Sequence, residues 1–267
     1  MSRLIRFLTN LFHDGLSYSA INTARSAVSS FSWSKDNTIG NHVLVNKFIK
    51  GVFNLRPALP RTSITWDTSK VLNFLKTWHP AKNLSLRQLS IKTVILLLLV
   101  SGQRGQTAWV LKTKDIEKRG DSYICRITDP LKTSSSKHHK GELLLKPYIH
   151  KNLCVVHYLT KYLERTKPLR GKKGEGGGKL FIITRHPYRE VSRDTIGKWT
   201  REGLALSGIN MEMFTPHSTR AASTSKAKMT VKLKTILKTA GWRRAKTFAK
   251  FYDKVIEDAG WGIQDLN

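Results

Sequence analysis

The sequence is short of acid. Against 47 lysines and arginines it sets only 18 aspartates and glutamates in 267 residues, a formal charge of +29 at pH 7. A compact chain with that imbalance repels itself and calls for a polyanionic partner. Nucleic acid is the first candidate, because covering phosphates with Lys and Arg releases counterions and gives strong, steeply salt-dependent binding. The shortage of carboxylates also argues against a two-metal nuclease, which needs several grouped Asp or Glu side chains.

Cysteine is scarce too. Cys125 and Cys154 lie in stretches that read as strand and helix, without the paired spacing of a zinc site or a disulfide framework, so a reducing, intracellular setting is expected. Long apolar runs are missing. Val94 to Val100 falls far below the ~20 residues that span a bilayer and reads as the middle of a buried helix, and no membrane or secretion signal is expected. The glycine-rich patch Gly171 to Lys179 fails as a nucleotide loop, since Lys173 and Leu180 stand where Gly and Ser or Thr are required. His138 and His139 have no carboxylate or cysteine at ligand spacing and read as a solvated basic turn. No metal, nucleotide or other cofactor is expected.

What is present is mostly helix. Residues 1–60 predict a small helical domain with apolar stripes Leu4, Leu8, Leu11 and Phe12, then Ile21, Ala24 and Val28, then Leu44, Phe48, Ile49 and Val52. Gly15 and Gly40 fall where such helices stop. Arg56 to Thr62, with two prolines and basic ends, reads as a linker. Residues 61–267 predict a second domain that mixes helices with a few strands.

In that second part, Asp67 or Thr68 caps one helix, and Ser85 caps the long buried helix that ends at Ser101-Gly102. Ser122 to Thr128 reads as a strand and Glu142 to Lys146 as its antiparallel partner. Between them Asp129 to Gly141 forms a hairpin tip that holds several lysines. Helices are expected at Leu153 to Arg165, Ser192 to Ser207, from Pro216, after Thr230, and from Ala245 to Asp258, with a short strand at Lys179 to Thr184. The fold class is mainly α with a small antiparallel β-sheet (α+β).

Four separated pieces carry chemistry only when taken together. Ser101-Gly102-Gln103-Arg104-Gly105-Gln106-Thr107 places an arginine in a tight turn. Lys132 sits at the hairpin tip. Thr215-Pro216-His217-Ser218-Thr219-Arg220 puts a histidine and an arginine on one helix face. Gly241-Trp242 is followed by Thr247-Phe248-Ala249-Lys250-Phe251-Tyr252. Each piece alone has a plain structural explanation: a capping arginine, an exposed lysine, a packed histidine, a core aromatic pair of Phe248 and Tyr252.

In order, type and spacing the pieces resemble the tyrosine recombinases, and in particular those of DIRS-type retrotransposons. The likeness covers nearly the whole chain and implies a two-domain DNA clamp, with a helical core-binding (SAM-like) domain ahead of the catalytic domain. Carried over, it implies that Tyr252 is the nucleophile, that Arg104 and Arg220 clamp the phosphate, and that Lys132 protonates the leaving oxygen. His217 and Trp242 match the remaining active-site positions, and Lys137 is a possible substitute for Lys132. Where many bacterial members carry Glu or Asp, this chain has Thr107, which puts the support of Arg104 in doubt.

The resemblance further implies double-stranded DNA as partner, a homo-tetramer acting on two DNA sites, a mobile-element origin and a nuclear location. The apolar segment Trp261-Gly262-Ile263 could dock on a neighbouring subunit or stay solvated.

The chemistry suits these residues. Negative charge builds on the phosphate oxygens as a fifth ligand approaches, and paired guanidinium forks meet it, each worth ~3 kcal/mol or more. A tyrosine, with a reference pKa near ~10, costs about 4 kcal/mol to ionise at neutral pH unless a base or nearby cations help. Three rivals remain at this level: a monomeric type IB-like topoisomerase, a catalytically silent DNA-binding protein derived from a mobile element, and a basic RNA-coating protein.

Overall fold

The computed structural model describes residues 2–31, 39–58, 62–136, 139–170 and 178–257. Lys137 and His138, the linker's Leu59-Pro60-Arg61, the glycine patch 171–177 and the segment with Trp261 to Ile263 lie outside the described residues. The chain divides into two compact units, Met1–Arg61 and Thr62–Asn267.

In the first unit, α1 (Ser2–His13), α2 (Tyr18–Phe31) and α3 (Val43–Leu55) bury Leu4, Leu8, Ile21, Val45, Ile49 and Val52 against one another. The third stripe holds at Phe48, Ile49 and Val52 and differs only at its start, where Val45 is buried and Leu44 is half exposed. His42 caps α3 by accepting from the Leu44 N–H at 3.2 Å. Arg56 is not a free linker cation. Its guanidinium stacks 3.9 Å over Phe12 and donates to the carbonyls of Phe12 and Leu16 at 2.7 and 3.1 Å, satisfying acceptors left over at the end of α1.

The second unit is organised around α5 (Leu86–Ser101), which is buried on nearly every side from Leu89 to Leu98, where apolar residues dominate. Its start is a capping box: Ser85 and Gln88 satisfy each other's backbone N–H groups, an arrangement worth ~1 kcal/mol. Lys92, in the middle of this helix and fully buried, donates to the carbonyls of Leu75 and Trp78 at 2.6 and 2.7 Å beneath the Tyr158 ring. It thereby closes the C-terminal end of α4 (Thr68–Thr77), whose N-cap is Asp67. Burial pushes the pKa of Lys92 down to about 7.

Around α5 pack α7 (Val155–Thr166) and α8 (Arg193–Leu206), while the short α6 (Gly105–Val110) lies against α8. Strands β2 (Ile116–Arg119), β3 (Ser122–Arg126) and β4 (Glu142–Leu145) form an antiparallel sheet in the order β2-β3-β4. The expected hairpin is thus present, with an additional edge strand. The chain then closes with α9 (Ser218–Lys228), α10 (Leu233–Ala240) and α11 (Ala245–Phe251).

Several local expectations need correction. The last helix stops at Phe251, and Val255–Glu257 is instead a strand, β5, paired in parallel with β1 (Ile64–Trp66). Lys179 to Thr184 forms only two isolated bridges, Lys112 to Lys179 and Ile182 to Glu190. The N-cap position of α10 is Lys232 and not Thr230, and its side chain makes no capping bond. Among the described residues no helix is long and apolar enough to cross a membrane.

Candidate active site

Two glycines aim the site. Gly102 ends α5 with φ +59°, a left-handed conformation that side chains resist, and a Cβ there would meet Thr224 at 2.9 Å. The chain reverses at once and presents Arg104 as the N-cap residue of α6. Gly241, φ +72°, does the same at the end of α10 and delivers Trp242.

The hydroxyl of Tyr252 lies between two groups drawn from distant parts of the sequence. Arg104 Nη2 donates to it at 3.3 Å, and His217 Nε2 stands 3.3 Å away on the other side. Tyr252 is half-buried at the C-cap of α11, where its ring packs against the small core of Ile236, Ala240, Trp242 and Phe248 while the residue lines the wall of a cleft. Its backbone is pinned from α9: Ser225 Oγ donates to the Tyr252 carbonyl at 2.7 Å and accepts from the Lys254 N–H at 3.1 Å. Lys228 pairs with Asp253, and Lys254 Nζ donates to the Thr62 carbonyl at 2.8 Å. The strand β5 then ties the following residues to β1.

His217 opens toward the cleft, yet the protein packed around its ring, followed by the charges of Arg104, Arg220 and Lys132, pushes its pKa down to about 4. The imidazole is therefore neutral at pH 7. With its proton on Nδ1, Nε2 is an acceptor for the phenol O–H.

Arg220 and Trp242 lie beneath the tyrosine. Arg220 is 1% exposed, and its Nη1 and Nη2 donate to the carbonyls of Gly102 and Ala240 at 2.7 and 2.9 Å. Its guanidinium carbon is 4.0 Å from the Trp242 ring centre. The Trp242 and Tyr252 rings are 4.7 Å apart. Burial, then Arg104, lowers the Arg220 pKa to about 10, so it stays charged at neutral pH. Arg220 Nε and Trp242 Nε1 are buried without a hydrogen-bond partner.

A cleft of about 700 Å³ opens beside this group, lined among others by Arg104, Lys132, Arg193, Lys198 and Arg201, with Asp194 as its single carboxylate. His217 and Tyr252 form part of the same wall. Five of the six expected residues are thus linked by contact, and the sixth, exposed Lys132, faces the same space. Such a cleft concentrates anions and offers fixed N–H donors to a group of phosphate size. The Thr107 side chain makes no hydrogen bond to the Arg104 guanidinium, although the Thr107 N–H donates to the Arg104 carbonyl at 2.8 Å. Its hydroxyl donates to Gln103 Oε1 at 3.1 Å, and Gln103 in turn donates to the Thr239 carbonyl at 2.8 Å. Sequence reasoning missed Ser225 and Gln106, since one polar residue on a helix carries no signal of its own.

Known proteins bear on this geometry. No curated protein matches the sequence. Among solved structures, XerH site-specific recombinase bound to palindromic difH substrate, in a post-cleavage complex, superposes with a TM-score of 0.61 at 15% identity, over 92% of this chain and 66% of that one. A lambda integrase dimer bound to a COC′ core site gives 0.56 at 15%, over 98% and 67%. The Tn1549 transposon integrase in complex with circular intermediate DNA gives 0.58 at 12%, over 97% and 81%. This chain therefore spans about two thirds of the length of the first two, and at these identities the likeness is one of fold. The sequence pattern of the phage integrase family matches residues 67–257, nearly the whole second unit and every residue of the cleft named above, and the chain belongs to that family.

Proposed function

We propose that this chain is a DNA strand-exchange enzyme that cleaves and rejoins duplex DNA through a 3′-phosphotyrosyl intermediate. The observation that carries the proposal is the phenol of Tyr252, held within one polypeptide by Arg104 and by a neutral His217 at the edge of a basic cleft. The Tyr252 oxygen attacks phosphorus as its proton passes to His217 Nε2. Lys132 gives a proton to the departing 5′ oxygen, and Arg104 and Arg220 hold the non-bridging oxygens.

The two unpartnered donors, Arg220 Nε and Trp242 Nε1, support a phosphate at this place. A buried N–H without a partner costs ~1–3 kcal/mol, and phosphate oxygens relieve that cost once the phenol ring swings off them. The bond energy is kept in the phosphotyrosyl link, so a second strand's hydroxyl can reverse the step. Double-stranded DNA is the partner in this proposal, bound by the basic cleft and by the helical first unit as the other jaw of a clamp. A tetramer on two DNA sites, an origin in a DIRS-like mobile element and a nuclear location belong to the same proposal.

The test is a suicide DNA duplex nicked next to the scissile phosphate. Covalent adduct is expected from the native chain and none from Tyr252→Phe, with DNA affinity nearly equal. Adduct that persists in Tyr252→Phe refutes the assignment. Relaxation of plasmid by a monomer, without joint products from paired sites, would instead make the chain a topoisomerase.

A further inference from the structure

We infer that Gln106 is a positioning residue for the proton donor, its side-chain oxygen fixing the turn that carries Lys132 against the turn that carries Arg104. The inference rests on the function proposed above.

Lys132 has a long, exposed side chain, and such a chain samples many rotamers unless its backbone is placed. Its turn, between β3 and β4, is braced from within. The Leu131 N–H donates to Ser134 Oγ at 2.8 Å, Ser134 Oγ meets His139 Nδ1 at 2.7 Å, and His139 Nε2 meets the Ile127 carbonyl at 2.7 Å. Since a carbonyl can only accept, His139 carries its proton on Nε2 and receives the Ser134 hydroxyl on Nδ1. His139 is thus a strut across the turn, where the sequence alone read a solvated basic residue. These bonds give the turn a shape, Leu131 anchors it in the core of the second unit, and one further bond ties it to the turn that carries Arg104.

The tie to the cleft is the Lys132 N–H, which donates to Gln106 Oε1 at 3.1 Å. Gln106 is half-buried in the first turn of α6, two residues beyond Arg104, whose guanidinium touches the Tyr252 hydroxyl. One amide therefore joins the attacking side of the site to the leaving side. The chemistry requires that link. The Tyr252 Oη–P bond forms as the P–O5′ bond breaks, with entering and leaving oxygens in line across phosphorus. The phenol proton goes to His217 and the Lys132 proton to O5′. A donor displaced by an ångström loses much of its effect.

Gln106 also lines the cleft, so a direct contact to DNA is the competing role, and the leaving group separates the two. A 5′-bridging sulfur departs as thiolate and needs no proton, so on that substrate the placement of Lys132 ceases to matter. Gln106→Met keeps the length of the side chain and removes the acceptor, and the Lys132 N–H it releases is free to meet water.

On the oxygen substrate Gln106→Met is expected to slow adduct formation on the order of tenfold to a hundredfold, and Lys132→Ala by at least as much. Both should approach the native rate on the sulfur substrate, and the double variant should be no slower than Lys132→Ala. An equal deficit of Gln106→Met on both substrates, or no deficit on either, overturns the inference. Independent, multiplying defects in the double variant do the same. Failure of the native chain to form adduct on either substrate removes the proposed function and this inference with it.

Discussion

The guanidinium of Arg220 lies under the phenol ring of Tyr252, 5.2 Å from its centre. In this arrangement the proposed nucleophile covers one of the two arginines proposed to hold the phosphate, while Arg104 stays open to the cleft. The two arginines therefore do different work, and they should fail differently.

Arg220 joins the ends of α5 and α10 by donating to Gly102 and Ala240. Arg220→Ala leaves both carbonyls without their donor and a void under Trp242, at a cost of ~3–5 kcal/mol in stability. Arg104 is only half-buried, and Arg104→Ala should cost under about 1 kcal/mol in stability while slowing cleavage on the order of a hundredfold. Arg220→Lys should also fail, because one ammonium cannot span two carbonyls and a phosphate. Urea denaturation beside adduct assays decides it: equal stability losses for the two alanine variants would contradict the structure.

A second expectation concerns pH. The pKa of His217 is pushed down from 6.5 to about 4, so cleavage at subsaturating DNA should persist well below pH 6.5, where an ordinary histidine would already be protonated. Saturating DNA brings a phosphate against Arg104, Arg220 and Lys132, offsets their charge, and should move the acid limb upward. Folding carries the matching sign. Because the folded pKa lies below the unfolded one, the unfolded chain takes up the proton first. This group's contribution to stability is complete above pH 6.5 and is lost as pH falls toward about 4. An acid limb centred at 6.5 in subsaturating DNA would show that neither the burial of the ring nor the cations beside it act on its titration.

What could be read in the chain beforehand was local. Asp67 and Ser85 cap the helices they were expected to cap, because a side-chain oxygen answering a nearby N–H is a matter of a few residues. The alternation through Tyr123 and Cys125 gave its strand for the same reason. What escaped was non-local. Val255–Glu257 continues a helical stripe in sequence and becomes a strand only because Ile64–Trp66, nearly the whole second unit away, offers an edge. Val45 takes the buried place expected of Leu44, a choice made by packing against the other two helices of the first unit. At the site, residue types and order pointed to Arg104, His217, Arg220 and Tyr252, but not to the burial of Arg220 under the ring. That needs the ends of α5 and α10 side by side, which no short motif encodes.

The placement of the Tyr252 backbone gives the last prediction. Ser225 Oγ donates to the Tyr252 carbonyl at 2.7 Å and receives the Lys254 N–H at 3.1 Å, so one hydroxyl holds the backbone on both sides of Asp253. Ser225 is buried, and water cannot readily replace it. Ser225→Ala frees both groups, which should cost ~1–2 kcal/mol in stability and let the phenol drift from Arg104 and His217. Cleavage should fall on the order of tenfold or more, with DNA affinity unchanged because Ser225 does not face the cleft. Ser225→Cys keeps nearly the same volume but bonds weakly, so it should behave like the alanine variant. A cysteine variant that cleaves at the native rate would mean that the side chain fills space there, and that Tyr252 is held by β5 and α11 alone.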